Sequence, residues 1–132
     1  MNKITIIGSG RVGSTIAYSL TCRGLASEIV IIDINGERAL GEALDIRQGL
    51  AYDSACQVYA GTYEDAKDSD IVVITSGIAR KPGQSRLELI NTNIAIQKSI
   101  IPMITKYAPD AVYIMVSNPV DILTYSFCRL SG

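Results

Sequence analysis

The chain alternates between short apolar runs and longer stretches with helical spacing. Lys3-Ile4-Thr5-Ile6-Ile7 is a β-rich run. Glycines follow it, and then a stretch whose apolar residues Val12, Ile16, Ala17 and Leu20 recur on one helical face, with a stop near Gly24. Glu28 to Ile32 is a second apolar run, and Asn35-Gly36 then opens a helix expected to turn Ala39, Leu40, Ala43 and Leu44 inward. Gln57 to Ala60 is a weak third strand, and DIVVIT (70–75) and AVYIMV (111–116) are the fourth and fifth. Continuous rather than alternating apolar runs predict strands buried on both faces of a parallel sheet. Strands that alternate with helices read as βαβ units, so the pattern predicts one doubly wound α/β domain over residues 1–132. The chain has no internal repeat, low-complexity segment or linker.

Two further helices follow from their start signals. Ser85-Arg86-Leu87-Glu88 fits a capping box, with Ser85 as N-cap and Glu88 reaching back. Arg86 then takes the first helical position, with its side chain toward the preceding loop. This helix carries Ile94, Ile100, Ile101 and Ile104, and Pro102 inside it is expected to kink or locally break it. The last helix begins after Ser117-Asn118-Pro119, with the proline expected at the first helical position and Gly132 as the stop. The Asn118–Pro119 bond is a candidate for the cis form.

Composition narrows the partners. Hydrophobic residues make up 48% of the 132, and the formal net charge is −1, which argues against disorder and against a nucleic-acid partner. No apolar run is long enough to span a membrane, and MNKITIIG is too short before its glycine to act as a signal peptide. Cys22, Cys56 and Cys128 are widely spaced and form no CxxC, so reduced, partly buried thiols in a cytoplasmic protein are expected, with no metal site. The chain contains no histidine. A mechanism that needs an imidazole base cannot be completed by these residues alone.

The candidate chemistry begins at the first strand's end. Gly8-Ser9-Gly10-Arg11-Val12-Gly13 is a GxGxxG run that leaves a strand and opens a helix. In that setting Gly8 permits the tight turn, Gly10 lets a pyrophosphate approach the backbone, and Gly13 lets helix and strand pack closely. The helix N-terminus adds free N–H groups and a positive dipole end. Asp33 closes the second strand 20 residues after Gly13, where a carboxylate accepts from an adenosine ribose diol and repels a 2′-phosphate. NAD is favoured over NADP. A turn with incidental glycines and a surface aspartate is the bland alternative.

A sheet ordered 3-2-1-4-5 winds in opposite directions from strands one and four, and ligands bind beyond their carboxyl ends. The loop SGIARKPGQSRLEL (76–89) leaves strand four there, carrying Arg80 and Arg86. Arginine forks suit carboxylates and phosphates, so a loop beside a dinucleotide is placed to hold an anionic substrate. Asn118 leaves strand five at the same rim, and its amide both donates and accepts, which suits a carbonyl or hydroxyl as well as simple helix capping.

GSGRVGSTIA, EIVIIDIN, RKPGQSRLEL and VSNPVDILTY, taken together, resemble the NAD-binding half of the L-lactate/L-malate dehydrogenases, and the resemblance runs in order over essentially the whole chain. It implies a Rossmann domain and hydride transfer between NAD and a small L-2-hydroxy or 2-oxo acid. It further implies that Val12, Asp33, Arg38, Tyr63, Gly77, Ile78 and Ser99 line the cofactor site, with the Val116 carbonyl and Asn118 near the nicotinamide. Arg86 matches the family's mobile-loop arginine, which polarises the substrate carbonyl on closure. Arg80 falls where malate enzymes carry arginine and lactate enzymes usually carry glutamine, whereas VSNPVDILTY is more lactate-like. An arginine there favours a dicarboxylate through a bidentate pair. Arg47-Gln48 departs from the family, which often has a histidine there, and bears on any interface role. The family's catalytic histidine, its paired aspartate and the arginine for the main carboxylate belong to a second domain beyond these 132 residues. The sheet is therefore expected to stop before a sixth strand and leave the fifth at its edge. The whole enzyme is expected to be a homo-oligomer. A stand-alone nucleotide-binding module, or a different NAD- or SAM-using Rossmann enzyme, are the competing readings.

Overall fold

The computed structural model describes residues 2–50 and 55–132. Its strands are β1 (Lys3–Ile7), β2 (Glu28–Ile32), β3 (Gln57–Ala60), β4 (Ile71–Ile74) and β5 (Val112–Met115). Its helices are α1 (Arg11–Cys22), α2 (Gly36–Gly49), α3 (Arg86–Tyr107) and α4 (Val120–Ser131), and a 3₁₀ turn covers Tyr63–Ala66. The strands form one parallel sheet in the order β3-β2-β1-β4-β5, as expected.

Each central strand divides its side chains between two cores. Ile4, Ile6, Ile29, Ile31 and Val73 face Ala17 of α1 and Ala39, Ala43 and Ile46 of α2. Ile7, Val30, Ile32, Val72 and Ile74 face the other way, onto Ile100 and Ile104 of α3. That explains the continuous apolar runs, because neither face of these strands meets water. Thr5 is the buried polar residue of β1, and its hydroxyl bonds Ser69 Oγ at 2.7 Å.

The structure corrects several expectations. Burial on both faces fails at β5, where Val112 (64% exposed) and Ile114 (45%) face out, because an edge strand is covered on one side only. In α2 the inward stripe is Ala39, Ala43 and Ile46, at steps of four and three, while Leu40 and Leu44 stand one residue round the helix and are exposed. Pro102 does not break α3, which runs 22 residues through it. Its ring lies on the exposed side, and the neighbouring Ile100, Ile101 and Ile104 are buried against the sheet, so tertiary packing outweighs the lost backbone bond. Pro119 is the N-cap of α4 and not its first helical residue, and the Asn118–Pro119 bond is cis. Cys22 and Cys128 are exposed rather than partly buried; Cys56 alone is intermediate. The capping box of α3 forms as expected, with Ser85 Oγ accepting from Glu88 N–H and Glu88 Oε2 accepting from Ser85 N–H, both at 3.1 Å.

Candidate cofactor site at the carboxyl rim of the sheet

The glycine turn is built by close backbone approach. Gly8 has φ of +106°, a conformation that strains any residue with a Cβ. Its N–H donates to Ile32 O at 2.8 Å, which ties the turn to β2. A Cβ on Gly13 would lie 1.9 Å from Gly8 O, so α1 and β1 reach this spacing only with glycine there. Thr75, just past β4, donates its hydroxyl towards Ile7 O and Gly8 O at 3.0 and 3.1 Å. A Cβ on Gly10, in contrast, would meet nothing within 4 Å. The backbone is bare and open at Gly10, the motif glycine expected to let a pyrophosphate come close. No side chain caps α1 and no acidic residue occupies its first turn, so its leading N–H groups remain available to an anion. Val12, 53% exposed in that turn, offers an apolar contact at the same opening.

Asp33 follows β2 and is held from both sides. Its Oδ2 accepts from Ser9 N–H at 2.6 Å and Ser9 Oγ at 2.7 Å, and its Oδ1 accepts from Asn35 N–H at 2.9 Å. Burial pushes this carboxyl up, but the Ser9 and Asn35 hydrogen bonds and the Arg38 charge outweigh it and hold it below the usual carboxylate range. Asp33 is therefore an oriented anion at neutral pH. Tyr63, on the 3₁₀ turn, is near enough that the Asp33 charge, after burial, raises its phenol, which stays a neutral donor. Asp33, Arg38 and Tyr63 thus stand together at one end of the rim.

At the other end the arginine loop and the Asn118 turn meet. Arg80 and Arg86 are both exposed; Arg80 Nε donates to Gln84 O of its own loop at 3.1 Å. Gly77 has φ of +155° and its added Cβ would lie 3.3 Å from Asn93 Oδ1. Asn93, 1% exposed on α3, accepts from Ile78 N–H at 2.9 Å and donates to Ile78 O at 3.3 Å and Asn118 O at 2.8 Å. Val116 N–H continues the ladder to Ile74 O at 3.0 Å, and Ser117 Oγ donates to Ser76 O at 2.6 Å. Gly8, Gly10, Val12, Gly13, Gly77, Ile78, Val116 and Asn118 therefore share one rim with the arginine loop. Ser99 is exposed further along α3, its hydroxyl turned back on Ile96 O at 2.7 Å, and no contact joins it to this group.

The sequence reading missed the residues that hold this rim together. Ser9 sat at a variable place in the glycine motif, Thr75 read as the end of the fourth strand, and Ser117 read as the lead-in to the last helix. Asn93 left a signal, since it is the polar first member of the inward stripe continued by Gln97, Ile100, Ile101 and Ile104. A groove of about 470 Å³ runs along α2, and of the rim residues only Arg38 lines it. The rim fits a dinucleotide on its own features: an open, side-chain-free Gly10, uncapped helix N–H groups, an oriented carboxylate, and a buried Ser76 Oγ with no partner among the described residues.

A parallel sheet wound both ways from β1 and β4, with these groups at its carboxyl rim, defines a dinucleotide-binding domain. The model of the lactate/malate dehydrogenase NAD-binding domain matches residues 2–132, and the chain belongs to that family. The L-lactate dehydrogenase of Clostridium perfringens (strain SM101 / Type A) is 55% identical over 131 residues, which are 99% of this chain and 41% of the relative. Among solved structures, the minor L-lactate dehydrogenase of Enterococcus mundtii in a ligand-bound form superposes with a TM-score of 0.94 at 43% identity, covering 99% of this chain and 42% of that one. The malate dehydrogenase of Archaeoglobus fulgidus, in complex with NADH, gives 0.93 at 39% identity, covering 98% and 45%. The chain spans less than half the length of the relatives it matches, and its cofactor is NAD.

Proposed function

We propose that these residues form the NAD-binding half of an enzyme that transfers hydride between NAD and a small L-2-hydroxy acid, lactate or malate, in the cytoplasm and as a homo-oligomer. The observation that carries this reading is the convergence on one rim of the open glycine turn, the oriented Asp33 and a loop bearing two exposed arginines. NAD, when bound, supplies the hydride acceptor. The chain's own groups bind and orient it. The α1 N-terminus and the Gly10 backbone receive the pyrophosphate, Asp33 accepts from the ribose diol, and Arg38 and Tyr63 flank the adenosine end. Val12, Gly77 and Ile78 complete the lining, with the Val116 carbonyl and Asn118 at the nicotinamide end. Arg86 polarises the substrate carbonyl as the loop closes and excludes water. Arg80 has guanidinium N–H groups beyond the one given to Gln84 and pairs with a second carboxylate, which favours malate.

The 132-residue polypeptide is expected to quench or shift NADH fluorescence on titration and to oxidise neither lactate nor malate, because it contains no histidine to take the proton. Turnover above buffer by the purified polypeptide would defeat this assignment of the proton step. In the whole enzyme, Arg80→Gln is expected to move selectivity from oxaloacetate toward pyruvate by about tenfold or more, the scale of one charge-assisted pair. An unchanged selectivity would remove Arg80 as the selector.

A further inference from the structure

Asn93 lies outside every residue so far given to cofactor or substrate, yet it joins the two segments that carry them. It is 1% exposed, and its side-chain hydrogen bonds go to loops at the rim: one from Ile78 N–H, one to Ile78 O and one to Asn118 O. The three partners also settle the amide's orientation, since two carbonyls need a donor and one N–H needs an acceptor. Among side chains of this size only an amide meets both demands. Aspartate would set a carboxylate against two carbonyl oxygens, and leucine would take the partner from all three backbone groups.

Sequence position adds the second half. Asn93 follows Arg86 by seven residues, two helical turns, so the two share a face of α3. Gly77 leaves so little room beside the Asn93 side chain, 3.3 Å to an added Cβ, that the loop is seated directly on it. The loop is therefore anchored at its base, at Ile78, and at its far end, by the Ser85–Glu88 cap, while residues 79–84 are exposed or half-exposed between the two. We propose that Asn93 is a positioning residue whose buried amide clamps the base of the arginine loop to the Asn118 turn and sets Arg86 in register with the rim. The role assigned to Arg86 and Asn118 rests on the function proposed above; the clamp itself does not.

The two parts separate in one experiment on the 132-residue polypeptide. Trypsin cuts after Arg80 and Arg86 report opening of the loop, whereas cuts after Lys98, within α3, report unfolding of the helix. In Asn93→Leu and Asn93→Asp the loop cuts are expected to accelerate about tenfold relative to the Lys98 cut, the scale set by losing a net hydrogen bond or two. Ile104→Val, a core change in the same helix, should leave that ratio unchanged. Exchange of the Ile78 amide proton, followed by NMR, should rise in parallel. A ratio that stays at the wild-type value in both Asn93 variants, with Ile78 exchange unchanged, overturns the clamp. NADH affinity is the second readout. Faster loop cutting with severalfold weaker NADH binding supports clamp and cofactor crevice together, and faster cutting with unchanged NADH binding keeps the clamp and refutes its link to the cofactor.

Discussion

Gly10 and Gly13 belong to one motif, yet the geometry separates what each does. An alanine Cβ at Gly13 would sit 1.9 Å from Gly8 O and 2.8 Å from Thr75 Oγ1, so helix and turn have to part by more than 1 Å to reach an ordinary contact. Overpacking of this kind costs about 1–3 kcal/mol, offset by at most about 1 kcal/mol of helix propensity. The net loss is expected to lower Tm by several degrees, on a scale of about 3–5 °C per kcal/mol for a domain of this size. At Gly10 the same methyl meets nothing within 4 Å, and the backbone, at φ −67° and ψ −171°, suits alanine. Alanine is a poorer N-cap than glycine, but its smaller unfolded-state entropy acts in the opposite direction, so the two leave a change within about 0.5 kcal/mol. The methyl nevertheless stands where the pyrophosphate is proposed to approach. Gly13→Ala should therefore lose both stability and NADH binding, while Gly10→Ala should keep its Tm and lose NADH binding. Thermal melts at 222 nm and NADH fluorescence titrations measure the two effects. If Gly10→Ala binds NADH like the parent, or Gly13→Ala melts with it, the assignment of roles within the turn is wrong.

Two other outcomes follow from the same geometry. Asp33 has its pKa lowered in the fold from 3.8, so the stability it contributes is present above that value and is lost as pH falls through the folded one. Asp33→Asn should flatten the acid limb of the Tm–pH curve below about pH 4 and narrow the preference for NADH over NADPH; an unaltered acid limb would mean that the Ser9 and Asn35 bonds do not hold the charge. At the sheet edge, Val112 and Ile114 present apolar side chains beside unpaired strand groups, a template for pairing between molecules. The 132-residue polypeptide should self-associate, and Ile114→Lys should reduce its light-scattering mass at high concentration. A parent that is already monodisperse and monomeric would refute this.

The elements that could be read from the chain were those set by one physical rule at a time. Continuous apolar runs located the strands, because both faces of β1, β2 and β4 are covered, and the same rule failed at β5, where one face is not. Ser85 and Glu88 were legible because a capping box lies within four residues. Leu40 and Leu44 were misplaced because they stand one residue round the helix from Ala39 and Ala43, which with Ile46 form the stripe that faces the sheet. The polar residues that assemble the rim obey a different logic. Ser9 answers Asp33 across 24 residues, Thr75 answers Gly8 across 67, and Asn93 answers Asn118 across 25. Each is a serine, threonine or asparagine whose partner is brought near only by the fold, and often the partner is a backbone atom that no sequence pattern marks. A ligand-facing glycine or arginine announces itself through its own chemistry. The residues that aim it are chosen by burial, and a buried hydroxyl or amide with every bond satisfied looks, along the chain, like any other polar residue. That is why the residues proposed to touch ligand could be named from sequence, and those that hold the rim together had to be found in three dimensions.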